Sequence, residues 1–234
     1  MRRIDRPEIL DSDACSAEEV QAVLAVIGRI NRRFGGVGTS QKLVELAARA
    51  TGLTRLSMLE VASGSGEVPD IVRHNLARSG IALDITLLDA AQSHLPRGNN
   101  VVVAHALHLP FSNNSFDLVS CNLFAHHLNP EQLRQFVDEA LRVCRHTVLI
   151  NDLVRHPLHL ALVYASFPLM RSRVAWLDGL TSVRRAYTLL EIREILDSHL
   201  RISNGQVQIF RHYLFRMGIL IWKPTLFGFP NTHS

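Results

Sequence analysis

Residues 59–67, Leu-Glu-Val-Ala-Ser-Gly-Ser-Gly-Glu, decide how this chain folds. The apolar run from Leu56 to Val61 reads as a buried strand carrying one acid, Glu60, close to its end. It breaks into a small-residue turn, Ala62-Ser63-Gly64-Ser65-Gly66, and a helical segment follows. Glycine lets the backbone turn tightly and lets a ligand approach the amides, because no Cβ stands in the way. The unsatisfied amides that open the next helix favour a polar or anionic group. A strand, a glycine turn and a helix in this order make a nucleotide-type cradle.

Two nucleotides compete for it. A dinucleotide fingerprint wants G-x-G-x-x-G, its third glycine allowing close helix packing. Here Gly64 and Gly66 are followed by Pro69, which cannot serve as that glycine and suits a first helical turn instead. With Glu60 ahead of the turn, the stretch resembles motif I of the class I S-adenosylmethionine methyltransferases, an acid followed by alternating glycines. Ala62 stands where the first of those glycines falls. The resemblance implies that Glu60 orients the turn and the methionine end of the cofactor, and that Ala62, Gly64 and Gly66 pack against it.

Outward from this turn the chain alternates. Strand-like runs at 56–61, 83–88, 101–105, 117–121 and 146–151 are separated by helical segments, notably 68–78 and 131–144. The latter opens on Asn129-Pro130, a cap followed by proline at the first helical position. Such alternation predicts a mostly parallel sheet with helices on both faces. Near the end, Thr188-x-x-Glu191 caps another helix. Runs 206–211 and 214–222 then follow, with so short a link about Tyr213 that they form an antiparallel hairpin. A parallel sheet closed by an antiparallel hairpin resembles the seven-stranded methyltransferase sheet, a Rossmann-like α/β fold. The chain thus divides into N-terminal helices (1–52), a cofactor-binding core (53–152), an insertion (153–186) and a C-terminal helix with its hairpin (187–234), all in one domain.

The N-terminal helices begin with a capping box, Ser16-x-x-Glu19, ahead of Val20, Val23, Leu24, Ile27 and Ile30 at helical spacing. A second helix spans roughly Ser40 to Ala50 and stops at Gly52. The insertion is apolar and aromatic (Tyr164, Phe167, Trp176), flanked by Arg155, Arg171, Arg173, Arg184 and Arg185. Ligands of open α/β sheets lie beyond the carboxyl ends of the strands. An insertion after the fifth strand is therefore placed as a lid over an apolar substrate.

The second strand ends in Leu87-Leu88-Asp89, with Ala90 beside it. A carboxylate there has two oxygens for the two ribose hydroxyls, in nicotinamide and S-adenosylmethionine sites alike. The stretch 104–128, AHALHLPFSNNSFDLVSCNLFAHHL, is more selective. Leu109-Pro110-Phe111 and Ser115-Phe116-Asp117 resemble the LPF and SFD of the ubiquinone- and menaquinone-pathway methyltransferases and their small-molecule relatives. The likeness covers about residues 56 to 152. It puts His105 where the family carries the acid that meets the adenine amino group. A neutral imidazole accepts one such bond and a protonated one accepts none, so cofactor affinity is expected to weaken in acid. It also puts the Ala106 amide at the adenine ring and Asn122 beside the sulfonium.

Methyl transfer from a sulfonium needs mainly alignment and a free lone pair on the acceptor. A phenol or enol is helped by a base, and histidine is the usual one. The candidates are His126 and His127 after the fourth strand, and Asp152, with Arg155 and His156, after the fifth. Their plain structural readings are a helix-terminal surface pair and a cap or salt bridge. His126, His127, His156 and His159 show no metal-ligand spacing, so no metal is expected. Phe124-Ala125-His126-His127, Ile150-Asn151-Asp152-Leu153 and Ser182 to Tyr187 look like a bacterial group linked to polyketide or quinone-type secondary metabolites. That resemblance implies O-methylation of a small aromatic, lipophilic acceptor. A protein that binds S-adenosylmethionine or S-adenosylhomocysteine without transferring is the alternative, motivated by the departures at Ala62 and His105.

Composition narrows the rest. The 234 residues are 47% hydrophobic and 20% charged with a formal charge of +4, a pI near 9.3 and a mean hydropathy of +0.10. The length fits one α/β domain. The arginines are scattered, so no nucleic-acid stripe is indicated. Cys15, Cys121 and Cys144 read as reduced thiols of a cytoplasmic protein. No signal-peptide region opens the chain, and the longest apolar stretch, Leu158 to Met170, is too short to span a bilayer. A homodimer is the assembly considered.

Overall fold

The structure, a computed structural model, describes residues 1–11, 17–167, 172–200, 206–213 and 215–224. Its centre is a seven-stranded sheet: β1 (Arg55–Val61), β2 (Ala82–Asp89), β3 (Val101–Val103), β4 (Phe116–Asn122), β5 (Cys144–Leu153), β6 (Gln206–His212) and β7 (Arg216–Trp222). The order is β3-β2-β1-β4-β5-β7-β6. The first five strands run parallel. β7 is inserted antiparallel between β5 and β6. The expected fold class is the one observed.

The helices are α1 (Ala17–Arg33), α2 (Gly36–Thr51), α3 (Glu67–Arg78), α4 (Pro130–Val143), α5 (Pro157–Ala165), α6 (Arg173–Arg185) and α7 (Leu189–Leu200). Side chains alternate across the sheet with the period of two that strand geometry requires. Leu56 and Met58 face one layer with Leu43, Val44, Val72 and Leu76 of α2 and α3. Leu59 and Val61 face the other with Leu133, Phe136 and Val137 of α4 and Ile192 and Leu196 of α7. Buried on both faces, β1 forms a continuous apolar run with a single acid.

Local signals set several boundaries. Asn129 and Gln132 close a reciprocal capping box with Pro130 at the start of α4. Thr188 and Glu191 do the same for α7, at 3.2 and 2.8 Å. α2 ends on Gly52 in the left-handed region but begins earlier than periodicity indicates, at Gly36, after a left-handed Gly35. The apolar pattern is silent there, because a glycine-rich first turn buries little side chain. Ser16, Cys15, Arg171 and residue 214 lie outside the described residues. Cys121 and Cys144 are buried free thiols. No helix among the described residues is long and apolar enough to cross a membrane.

The chain runs outward from β1 through β2 to β3 and then returns to β4, so the order reverses between β1 and β4. Ligands of open α/β sheets bind in the crevice at such a reversal. The glycine turn after β1 and the residues after β4 face each other across it.

Candidate functional site

The turn after β1 is held in an unusual backbone conformation. Ala62 has φ 52°, Gly64 φ 53° and Gly66 φ 71°. A left-handed residue with a Cβ costs about 1–2 kcal/mol, so Ala62 occupies a glycine-type position under strain. A side chain at Gly66 would be strained by its positive φ, and its Cβ would also displace the end of the Leu87 side chain of β2. Leu123, the first residue after β4, is likewise left-handed at φ 55°. Strained residues therefore flank the crevice on both sides.

Asp89 holds this turn in place. Its Oδ2 accepts from the Gly64 amide at 2.9 Å and its Oδ1 from the Ala91 amide at 3.0 Å, with His94 Nδ1 at 3.3 Å. Burial alone would raise its pKa, but His94 and the two amides outweigh burial and hold it below the ordinary carboxylate value. Asp89 is thus an anion at neutral pH, with a lone pair left on Oδ2 for a hydroxyl donor while Oδ1 is taken up by the Ala91 amide and His94. Ala90 is exposed just beyond it.

Glu60 is 1% exposed. Asn122 Nδ2 donates to its Oε1 at 2.6 Å. Asn122 Oδ1 in turn accepts from the Ser40 hydroxyl and from Asn151 Nδ2 at 2.7 Å. A chain of polar groups therefore links β1, β4, β5 and α2 beneath the crevice. The resemblance puts Asn122 beside the sulfonium, and its side chain is what holds the acid. Ser40 and Asn151 have no assigned role in the sequence, where Asn151 stands only as one member of the Ile150–Leu153 stretch. Burial pushes the Glu60 carboxyl up to about 7, against the hydrogen bonds from Asn122 and Ser120 that lower it.

An acid whose pKa rises on folding binds its proton more tightly in the native state. Its ionisation therefore costs stability progressively from about pH 4.5 to about 7. Glu60→Gln is expected to stabilise the ligand-free protein at pH 8 by roughly 2–3 kcal/mol and to leave it unchanged at pH 5. Thermal melts of both proteins at pH 5, 6.5 and 8 measure this; a gap that does not depend on pH refutes it.

These groups suit the expected cofactor. Glu60 Oε2 and Ser63 Oγ are buried without a hydrogen-bond partner among the described residues, so the turn presents polar atoms to a polar ligand head. Ala106 is buried and His105 lies one residue before it. His105 Nδ1 accepts from the Leu107 amide at 3.2 Å. A neutral ring bonded in this way carries its proton on Nε2, making that nitrogen a donor. In that tautomer the free edge of His105 is a donor, where the resemblance implies an acceptor.

The other part of the site gathers at the ends of β4 and β5. Ala125–His127 forms one 3-10 turn after β4. Within it, His126 is 2% exposed. Its Nδ1 contacts Asp152 Oδ1 at 2.7 Å and its main-chain amide donates to Asp152 Oδ2 at 2.9 Å. On the far edge, Glu8 Oε1 lies 3.3 Å from His126 Nε2 and 3.7 Å from His127 Nε2. Burial disfavours an imidazolium, but Asp152 and Glu8 outweigh it and push His126 up to about 10. His126 is thus a buried cation at neutral pH, not the near-neutral base expected of it. Asp152, wholly buried, takes this histidine as its partner in place of a lid arginine. His127 is the more open of the two, with its side chain 22% exposed.

Arg155 turns away to Glu191 and to the carbonyl of Ala186, the latter at 2.7 Å. His156 accepts from the Leu158 amide at 3.1 Å and caps α5. Neither joins the site.

Glu8 was not anticipated. It comes from the first residues of the chain, which lie along α6: the Ile9 amide donates to Asp178 at 2.7 Å and Ser182 Oγ to Glu8 at 2.7 Å. Arg3 reaches the carbonyls of His126 and Leu128 at 3.0 and 2.9 Å. No periodicity or spacing links such distant positions.

Comparison with known proteins gives a consistent result. Residues 59–150 match a family described as a methyltransferase domain. The plantazolicin methyltransferase BpumL, solved with a pentazolic desmethylPZN analog and SAH, is 14% identical at a TM-score of 0.64, over 89% of this chain and 96% of that one. A SAM-dependent methyltransferase from Aquifex aeolicus is 12% identical at 0.56, over 89% and 98%. Human N-acetylserotonin methyltransferase in complex with SAM is 14% identical at 0.62, over 90% of this chain and 57% of that one. At such identities the structures establish a shared fold. No curated protein matches the sequence significantly.

Proposed function

We propose that this chain, whose residues 59–150 match a methyltransferase domain family, is a class I S-adenosylmethionine-dependent methyltransferase and that it methylates the oxygen of a small, apolar aromatic acceptor of polyketide or quinol type. S-Adenosylmethionine supplies an electrophilic methyl group and leaves as S-adenosylhomocysteine. Asp89 takes a ribose hydroxyl and keeps the Gly64 turn shut around it. The Ala106 amide and His105 meet the adenine edge. Glu60 and Ser63, with the amides of the turn, meet the methionine end, and Asn122 keeps the Glu60 carboxylate aimed.

The observation that carries the acceptor reading is the cluster of Glu8, His126, His127 and Asp152 at the ends of β4 and β5. Ionisable groups gathered beside a methyl-transfer crevice serve an acceptor that must lose or share a proton, as a phenol does. An apolar acceptor is supported by α5, which follows β5 and holds no buried residue while Leu158, Leu162 and Tyr164 stand exposed. Helices α5 and α6 form the proposed lid: Trp176 Nε1 donates to the Val163 carbonyl at 2.9 Å, and Phe167 lies 4.7 Å from the Trp176 ring. Two of the fold's neighbours are named as a plantazolicin methyltransferase and an N-acetylserotonin methyltransferase.

Purified protein incubated with methyl-labelled S-adenosylmethionine and a panel of polyphenols and quinols should place label on oxygen. Label on ring carbon alone overturns O-methylation. Tight S-adenosylhomocysteine binding with no turnover on any acceptor favours the binding-only alternative.

A further inference from the structure

Three donor atoms converge beside the ends of β4 and β5. Glu8 Oε1 stands 3.3 Å from His126 Nε2 and 3.7 Å from His127 Nε2. One ligand atom from each residue lies within 4.8 Å of the others. We propose that Glu8, His126 and His127 form a binding site for a divalent transition-metal ion of the zinc type.

The two edges of the His126 ring differ in a way that points to an ion. At Nδ1, Asp152 makes a short, directed contact of 2.7 Å, the usual length of a charge-assisted hydrogen bond. At Nε2 the Glu8 carboxylate stands further off, at 3.3 Å, and this buried nitrogen makes no hydrogen bond within normal geometry. Two ligands on one tetrahedral ion, each bonded at about 2.0–2.1 Å, are separated by about 3.3 Å. The Glu8–His126 separation has that value; the three ligand atoms lie within 4.8 Å of one another, so His127 must move inward to complete the set.

The surroundings fit as well. Two histidines and one glutamate are a common donor set for zinc with a further position open. A carboxylate on the remote nitrogen of a ligating histidine fixes its tautomer and raises its basicity, and Asp152 is so placed. Glu8 is steadied by the Ser182 hydroxyl at 2.7 Å. A divalent charge would balance Glu8 and Asp152 together. The nearby guanidinium of Arg3 is committed to main-chain carbonyls, and an Arg185 nitrogen donates to the His127 carbonyl at 2.7 Å.

The role of such an ion rests on the methyl-transfer reading above, although its binding does not. An acceptor oxygen taken as a further ligand becomes more acidic, so a phenol would lose its proton without a neutral imidazole.

The full chain, stripped with a chelator, is titrated with Co2+ and then with Zn2+ as competitor. One equivalent of Co2+ should bind and give the intense visible absorption of a low-coordinate site. Affinity should fall by a factor of about 100 or more in Glu8→Gln and in His127→Gln, and by about 10–100 in Asp152→Asn. S-Adenosylhomocysteine binding, read by calorimetry, reports whether each variant is folded. The weak spectrum of hydrated Co2+ in the wild-type protein overturns the site, as does an unaltered titration in both folded ligand variants. Metal binding as described, with no acceptor methylated, instead counts against the O-methylation reading and leaves the site standing.

Discussion

Asp152→Ala is expected to lower the melting temperature by roughly 10 °C, in chelator-treated protein as well as in untreated protein. Asp152 is wholly buried and accepts three hydrogen bonds: from its neighbour's amide, Leu153 N, at 2.6 Å, from the His126 amide at 2.9 Å and from His126 Nδ1 at 2.7 Å. Burial would raise its pKa, but His126 and the amides outweigh it and keep the carboxylate ionised. Truncation leaves the buried imidazolium with Glu8 alone as counter-ion, at 3.3 Å, and two amides without an acceptor. Removing one member of a buried ion pair costs about 3–5 kcal/mol. In a domain of this size each kcal/mol moves the melting point by about 2–4 °C. Asp152→Asn keeps the shape and an acceptor oxygen, so its loss should be about half as large. A melting point for Asp152→Ala within about 2 °C of wild type would show that the pair contributes little.

Asp89→Ala should weaken S-adenosylhomocysteine binding about 100-fold or more, with a much smaller effect on the melting point of the ligand-free protein. The side chain has two functions in one place. It fixes the Gly64 and Ala91 amides, and its free lone pair on Oδ2 is the proposed partner of a ribose hydroxyl. Each hydrogen bond to a charged group is worth about 1.5–3 kcal/mol, so loss of the ribose bond together with the Gly64 anchor that shapes the turn gives about two orders of magnitude or more. The exposed turn can regain water at its amides, so stability suffers less than affinity. Asp89→Asn retains one acceptor oxygen and should lose about tenfold. Isothermal titration of the three proteins with S-adenosylhomocysteine measures the series. Equal affinities would mean that the nucleoside lies elsewhere, and the site assignment at the β2 end would fall.

The order of the sheet was largely legible in the sequence because its signals are local. The run Leu56–Val61, the glycines after it and Pro69 act through neighbouring residues. The short link around Tyr213 permits only a hairpin, and β6 and β7 form one. Asp89 could be read from its distance past the turn, since one βαβ unit places it beside the glycines.

What only the tertiary structure decided concerns the charge states and partners of the site. The sequence presents His126, His127 and Asp152 as candidates for proton transfer. It holds no sign that Glu8 comes to the same place, and that carboxylate, with Asp152, turns His126 from a base into a buried cation. Glu60 is likewise recognisable as the motif acid. Its pKa near 7 follows from burial, which outweighs the hydrogen bonds from Asn122 and Ser120 that lower it. Secondary structure is written in periodicity over a few residues, whereas ionisation depends on which distant charges the fold brings within a few ångströms and how much water it removes from between them.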